Sequence, residues 1–391
     1  MTAPAAAPTA PDRPTRRLEQ IWRPFVGMLP TLLVSWLVAR VVVGTALALS
    51  VYLRHQATDV GGTNPFPHST GLLGWDSAFY RDLADKGYGG LPVEARRFFP
   101  LLPLVVRIVG LGTFPGPALL IVVNLTALAF AAALWRLVVA EGWGDETGER
   151  AVWLLVLAPP AFVLVMGYTE ALAGLAAVLV FLGLRREHWW LAAGAGAAAA
   201  LCRPTGLLLC VPGLIEAVRQ HRRPDGERGA LLPRAAAVVA PLVGAGLYFV
   251  YLGVRFGDPF QPLRIQQDAR LHGPTTNPVT TVLDAARGLA HGEIGTGLHV
   301  PWLIVVLGLL VVMARTLPAS YTAWCACTLA GSLVGTNLDS FERYAWSAFP
   351  FVIVGARLLG GRPRLWQAAL AVTAALLASY ALLAFLGLSV P

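Results

Sequence analysis

Charge is what this sequence has least of. Only 13% of its 391 residues are Asp, Glu, Lys or Arg, against about 25% in an ordinary soluble domain. Hydrophobic residues make up 56% and the mean hydropathy is +0.62. Depletion on this scale excludes a soluble domain and puts most of the chain in lipid. Lysine is almost missing: Lys86 stands alone among 30 basic residues, so arginine carries the net charge of +8. Arginines on a membrane protein mark cytoplasmic loops and anionic lipid. No basic run is interleaved with aromatics, as a base-stacking groove needs, and a nucleic-acid partner is not expected. Cysteine is sparse too. Cys202, Cys210, Cys325 and Cys327 lie in apolar stretches, without C-x-x-C spacing or a histidine at ligand spacing. That excludes a disulfide framework or a zinc site and leaves buried small hydrophobes. The sequence has no repeat of fixed period and no inverted pair of broken helices of the transporter kind.

What the chain has instead is apolar runs. Residues 1–24 are rich in Ala and Pro before a group of arginines, and read as a disordered cytoplasmic arm. The run that follows is too long for a cleaved signal segment and reads as a retained first helix. Residues 25–391 then form one membrane-embedded, all-α domain. A crossing takes about 20 apolar residues, and on that rule helices fall near 27–53, 116–141, 150–167, 169–185, 188–203, 205–219, 232–254, 299–314, 317–336, 344–360 and 365–388, about 11 in all. The segment 98–110, punctuated by Pro100 and Pro103, is too short and reads as re-entrant or interfacial.

The positive-inside rule sets the orientation. The arm, Arg185-Arg186, the loop from Arg219 to Arg234, Arg315 and the turn 357–364 go to the cytoplasm. Residues 54–97, the turns 167–170 and 203–206, the loop 255–297 and the turn 337–343 then fall outside. Every notable polar cluster shares that outer face.

Several residues in these loops have two readings. Asp76 precedes an amphipathic stretch, 76–86, in which Leu72, Trp75, Phe79 and Leu83 share one side. It is either a helix cap or a carboxylate poised at the membrane surface. On such a helix Trp75 and Tyr80 would sit at headgroup depth. Arg203 interrupts an apolar run just before Pro204; it is a snorkelling helix-end charge or a phosphate ligand. Arg343 lies beside Asp339 and Glu342, as a local ion pair or as a second phosphate ligand. Arg96 and Arg97 suit headgroup anchoring equally well. Glu170 opens a helix, where an acid is favourable. Asp258 sits in a Gly-Asp-Pro turn. Trp324 and Trp346 read as interfacial belt residues.

Trp75-Asp76 with Tyr80, Gly87-Tyr88 and Phe98-Phe99-Pro100-Leu101-Leu102-Pro103 resembles the PIG-V-like mannosyltransferases, a family of the GT-C class of multi-spanning glycosyltransferases. Tyr168-Thr169-Glu170, Arg203-Pro204-Thr205-Gly206, Phe256-Gly257-Asp258-Pro259-Phe260 with Gln266-Gln267, and Arg343-Tyr344 with Phe349-Pro350 continue the resemblance in the family's order. The resemblance implies a GT-C-like architecture in the cell membrane. It implies inverting transfer of mannose from a polyprenyl-phosphate donor to a lipid- or glycan-linked acceptor on the extracytoplasmic face. Asp76 is then the general base. Arg203, Arg343, Arg96 and Arg97 hold the donor phosphate, and Trp75, Tyr80, Tyr168, Glu170, Asp258, Gln266, Gln267 and Tyr344 line the sugar and acceptor sites. No cofactor and no metal are expected. Membrane lipid is an implied partner, whereas a partner subunit is not legible.

Overall fold

The computed structural model describes residues 14–59, 71–222, 231–268, 271–292, 299–336 and 338–388, with side chains from Gly27 onward. Residues 1–13 of the expected arm, and parts of both outer loops, lie outside the described residues. The described chain is helical, with one isolated antiparallel bridge, Thr275 to Gly335, and no strand. The first half comprises α1 (Pro14–Asp59), α2 (Asp76–Lys86), α3 (Leu101–Val109), α4 (Pro115–Ala140), α5 (Asp145–Leu157), α6 (Glu170–Arg185), α7 (Trp189–Cys202) and α8 (Cys210–His221). The second comprises α9 (Leu231–Phe256), α10 (Gln261–Gln266), α11 (Pro278–Ala290), α12 (His299–Thr316), α13 (Ala319–Ser332), α14 (Phe341–Ser347), α15 (Pro350–Leu358) and α16 (Pro363–Leu386).

Among the described residues five helices are long and apolar enough to cross a membrane: α1 from Gly27, α4, α9, α12 and α16. Their outward faces carry apolar residues that water would penalise; Val254 is 85% exposed, Ile304 65% and Leu125 61%. An apolar exterior of this kind belongs in lipid, and the chain is a helical membrane protein. Helix α1 starts at Pro14, inside the stretch expected to lack structure.

The other apolar runs are broken, and proline does the breaking. Pro159 and Pro160 stop α5 and turn the backbone into a 3-10 helix, Pro159–Leu164. Pro204 does the same after α7, giving the 3-10 helix Pro204–Leu209 before α8. Pro350 separates α14 from α15. Nine residues make α3 only ~14 Å long at 1.5 Å per residue, too short to cross.

Residues 192–200 of α7 are all Ala or Gly, which lets α9 come close. A Cβ at Gly196 would meet the ring of Pro241, and one at Gly244 the backbone of Ala197. Polar groups collect at the two ends of the bundle. At one end Arg185 pairs with Glu141 and Glu216, which also accept from Tyr321 and Ser320. At the other end of α6, a helix of sixteen residues and so ~24 Å long, stands Glu170.

Two expectations fail on burial. Helix α2 turns Ser77, Tyr80, Leu83 and Ala84 inward, so Tyr80, at 5% exposure, faces the protein and not the headgroups. The helix begins only at Asp76, which puts Leu72 and Trp75 off its regular period. Trp324 and Trp346 are also buried, not belt residues; Trp324 packs against Phe181 and Phe349.

Candidate active site

A cavity of about 650 Å³ opens at the Glu170 end of the bundle. Seven stretches of chain line it, and local backbone devices fix the four that carry Asp76, Glu170, Arg203 and Arg343.

Trp75 holds φ 54° and ψ −134°, a region costly for any residue with a Cβ. Its indole N–H donates to the Ala384 carbonyl at 2.9 Å, anchoring the turn to α16. Asp76 follows as the first residue of α2. Its carboxylate does not cap the helix: Oδ2 accepts from Arg343 at 3.1 Å, and Oδ1 lies 3.4 Å from Arg97 Nη2. With a quarter of its side chain exposed, at 24%, it faces the cavity.

Glu170 is delivered by the 3-10 turn after α5. The carbonyls freed by that break are satisfied inside the bundle: Arg40 donates to Leu164 at 3.1 Å and Asn124 to Val165 at 3.1 Å. Gly167 has no room for a Cβ, which would overlap Leu119 and approach Ser77. Tyr168, Thr169 and Glu170 emerge buried, at 1%, 3% and 3% exposure.

Arg203 stands where α7 ends, its backbone fully extended ahead of Pro204. Gly206 closes this turn against the Ala199 carbonyl, which any Cβ would strike. Arg203 Nη1 donates to Glu170 Oε1 at 2.9 Å. Arg343 stands in the first turn of α14, which follows Ser340, a left-handed residue at φ 66°. Its Nε lies 3.4 Å from Glu170 Oε1, so it joins Glu170 to Asp76. It does not pair with its neighbour Glu342, which instead bonds His299 at 2.7 Å.

The result is a continuous chain of charges, Arg97–Asp76–Arg343–Glu170–Arg203. Three guanidiniums face two carboxylates, and Asp339 also lines the cavity. Tyrosine rings shelve the guanidiniums: Tyr344 lies 5.2 Å from Arg203 and 5.1 Å from Arg343, which also lies 5.1 Å from Tyr168. Burial opposes the charge on Arg343, but Glu170, Tyr344 and Asp76 more than offset it and raise its pKa above the ordinary arginine value. Burial, with Glu170 and Asp76 alongside, pushes the Tyr80 phenol well up, so it serves as a neutral group. Glu170 Oε2, Gln266 Oε1 and the Tyr168 hydroxyl are buried without hydrogen-bond partners among the described residues. Polar atoms left in this condition are expensive unless a ligand meets them.

Trp75, Tyr80, Arg97, Tyr168, Glu170, Arg203, Gln266, Gln267, Arg343 and Tyr344 thus join Asp76 around one cavity. Two expected residues do not. Arg96 turns away, with its guanidinium 3.8 Å from the Phe256 ring centre and Nη1 on Gln261 at 2.9 Å. Asp258 accepts from its own turn at Phe260 and pairs with Arg264 beside a neighbouring chamber. The sequence conforms to no protein-family model and matches no curated protein.

Sequence reasoning overlooked Arg40 and Tyr248. Tyr248 donates to the Arg96 carbonyl at 2.8 Å and fixes the end of the 3-10 helix that carries Arg97. Arg40 had a signal, a lone charge inside an apolar run, the same that drew attention to Arg203. Among the described residues no three His, Cys, Asp or Glu side chains gather as a metal site.

Proposed function

We propose that this protein is an inverting, GT-C-like glycosyltransferase of the PIG-V-like kind. It transfers mannose from a polyprenyl-phosphate donor to an acceptor hydroxyl, with Asp76 as general base. The observation that carries the reading is the Asp76 carboxylate, held at the cavity wall between two guanidiniums on a strained turn. An acid beside paired cations is what sugar transfer from a phosphate requires. The acceptor oxygen attacks the anomeric carbon and gives its proton to Asp76. The bond from that carbon to the phosphate oxygen breaks, and the electron pair leaves with the phosphate. Arg343, Arg203 and Arg97 stabilise the charge that develops there. A donor phosphate competes with Asp76 for Arg343 and Arg97, so donor binding itself frees the carboxylate to act as a base.

The position of the cavity supports the extracytoplasmic assignment. It lies at the far end of α6 from Arg185 and Arg186, which the positive-inside rule assigns to the cytoplasm. On this reading each broken apolar run crosses together with the helix that continues it, which makes about eleven crossings in all, the five long apolar helices included.

The test is a transfer assay with purified protein, radiolabelled polyprenyl-phosphate mannose and a membrane-lipid extract as acceptor. Wild type forms a labelled product. Asp76→Asn binds donor but loses roughly 100- to 10,000-fold in turnover. Equal turnover by the two proteins removes Asp76 from the chemistry, and a wild type that neither binds nor transfers removes the donor.

A further inference from the structure

At the end of the bundle that carries Arg185, away from the cavity, one arginine is left without an acid. Arg234 stands in the first turn of α9 and is only 5% exposed. Its Nε is buried without a hydrogen-bond partner, and no carboxylate among the described residues pairs with its guanidinium. The contact it does make is with the ring of Trp189, 5.7 Å away. The acids at this end are already engaged. Arg185 holds Glu141 and Glu216, Arg219 also holds Glu216, and Glu187 accepts from Gln220.

The surroundings of Arg234 add positive charge. Helices α7 and α9 lie side by side and run in the same direction from this end: Gly196 meets Pro241, and seven residues back along both helices Trp189 meets Arg234. Their first turns therefore open together, and neither contains an acidic residue. His188, at the N-cap of α7, makes no capping bond with its side chain. Free N–H groups and the positive end of a helix dipole favour an anion and repel a cation. A buried, unpaired guanidinium set against two helix N-termini is unfavourable until an anion joins it. The flanks of this place are apolar: Trp190, Leu191, Leu231 and Leu232 are all exposed. A rim of that kind, with tryptophan in it, sits at the boundary between headgroups and acyl chains.

We propose that the paired N-termini of α7 and α9, with Arg234 facing Trp189, form a phosphate site, and that its occupant is the headgroup phosphate of an anionic phospholipid whose acyl chains lie along Leu231 and Leu232. Arginine suits this role because its planar fork donates twice to one phosphate. An anionic headgroup is favoured over a zwitterionic one, whose ammonium would add a cation to an end that already carries Arg186 and Arg222. Helix α7 runs from this site to Arg203, so the lipid steadies the helix that ends in the charge chain. The lipid site does not depend on the transferase reading.

The experiment adds lipid to the delipidated full-length protein in detergent, and follows binding by native mass spectrometry and stability by thermal unfolding. The probes are phosphatidylglycerol, phosphatidylcholine and inorganic phosphate. The variants are Arg234→Met, Arg234→Lys and, as a control for charge at the same end, the exposed Arg222→Gln. Wild type binds phosphatidylglycerol, and Arg234→Met weakens it by about tenfold or more, the scale of one hydrogen bond to a charged group. Arg234→Lys, which keeps the charge and loses the fork, falls between them, and Arg222→Gln stays within about twofold of wild type. Without lipid, Arg234→Met melts no lower than wild type, because an unpaired buried charge has been removed. With phosphatidylglycerol, wild type gains stability and the variant does not. That reversal separates a ligand site from a merely structural arginine, whose loss lowers melting with and without lipid and overturns the proposal. Equal phosphatidylglycerol affinity in wild type and Arg234→Met overturns it too, as does an equal loss in Arg222→Gln. Phosphatidylcholine bound as tightly as phosphatidylglycerol overturns the anionic preference. Inorganic phosphate that binds as tightly as the lipid, and depends on Arg234, keeps the phosphate site and overturns the lipid as its occupant.

Discussion

Arg343 reaches Asp76 at 3.1 Å across 267 residues of chain. The same guanidinium lies 3.4 Å from Glu170, so one side chain joins two acids that belong to different helices. Arg343 and Glu170 are both more than nine-tenths buried. Charges so placed are costly to desolvate, and pairing offsets the cost only while every partner is present. The site and the fold are therefore coupled: α2, α6 and α14 meet correctly, or buried charge is left without a partner.

Arg343→Met makes the coupling measurable. It leaves Asp76 and Glu170 facing each other with one cation fewer, and should lower stability by about 3–5 kcal/mol. Arg343→Lys retains the charge but cannot bridge both acids as a fork does, so it should fall between wild type and Met. Thermal unfolding in nanodiscs gives the order. Identical melting of Met and wild type would show that the two acids do not depend on Arg343.

Glu170 and Arg203 are the second coupled pair, at 2.9 Å. Glu170→Gln strands the Arg203 charge, and Arg203→Gln strands Glu170 beside Arg343 alone. Each single change should cost more than half of what the double change costs, because the double removes both charges together. A double-mutant cycle on unfolding should return a coupling of about 1–3 kcal/mol. A coupling near zero would make the contact incidental.

The sequence shows the fold class plainly, because lipid imposes length and hydropathy on every crossing helix. It locates α4, α9, α12 and α16 within a few residues, since each is one uninterrupted apolar run. It does not show where the shorter runs break. A proline inside an apolar run permits either a kinked helix or a new 3-10 turn, and packing decides between them. Arg97, Glu170, Arg203 and Arg343 are noticeable one by one as charges beside lipid. Their pairing is not, because it depends on which helix ends meet. Local spacing points Arg343 to Glu342, and the fold sends it to Asp76 and Glu170 instead. Asp258 shows the same limit: its turn motif is visible in sequence, whereas its pairing with Arg264, outside the main cavity, is not.

Trp75 gives a test of backbone strain. Its φ of 54° suits glycine, while its indole holds the Ala384 carbonyl. Trp75→Ala loses the indole and keeps the strain. Trp75→Gly loses both, and should be the more stable of the two by ~1 kcal/mol. The order in activity should be reversed, since a relaxed glycine no longer fixes the direction of Asp76. Comparing melting temperature with turnover for the two variants checks this, and parallel changes in both would mean that the strain has no bearing on the site.

The orientation of the bundle makes the last prediction. Thr113, between α3 and α4, is exposed at the cavity end, and Arg186, after α6, is exposed at the other. The four native cysteines are buried or half-buried, so the background to a membrane-impermeant thiol reagent is low. In intact cells Thr113→Cys should label and Arg186→Cys should not, and lysis should expose both. This follows from arginine bias alone and needs no assumption about chemistry. The reverse pattern would put the cavity in the cytoplasm. A polyprenyl-phosphate sugar presented on the outer leaflet could not then reach Asp76, and a donor on the cytoplasmic leaflet would have to replace it.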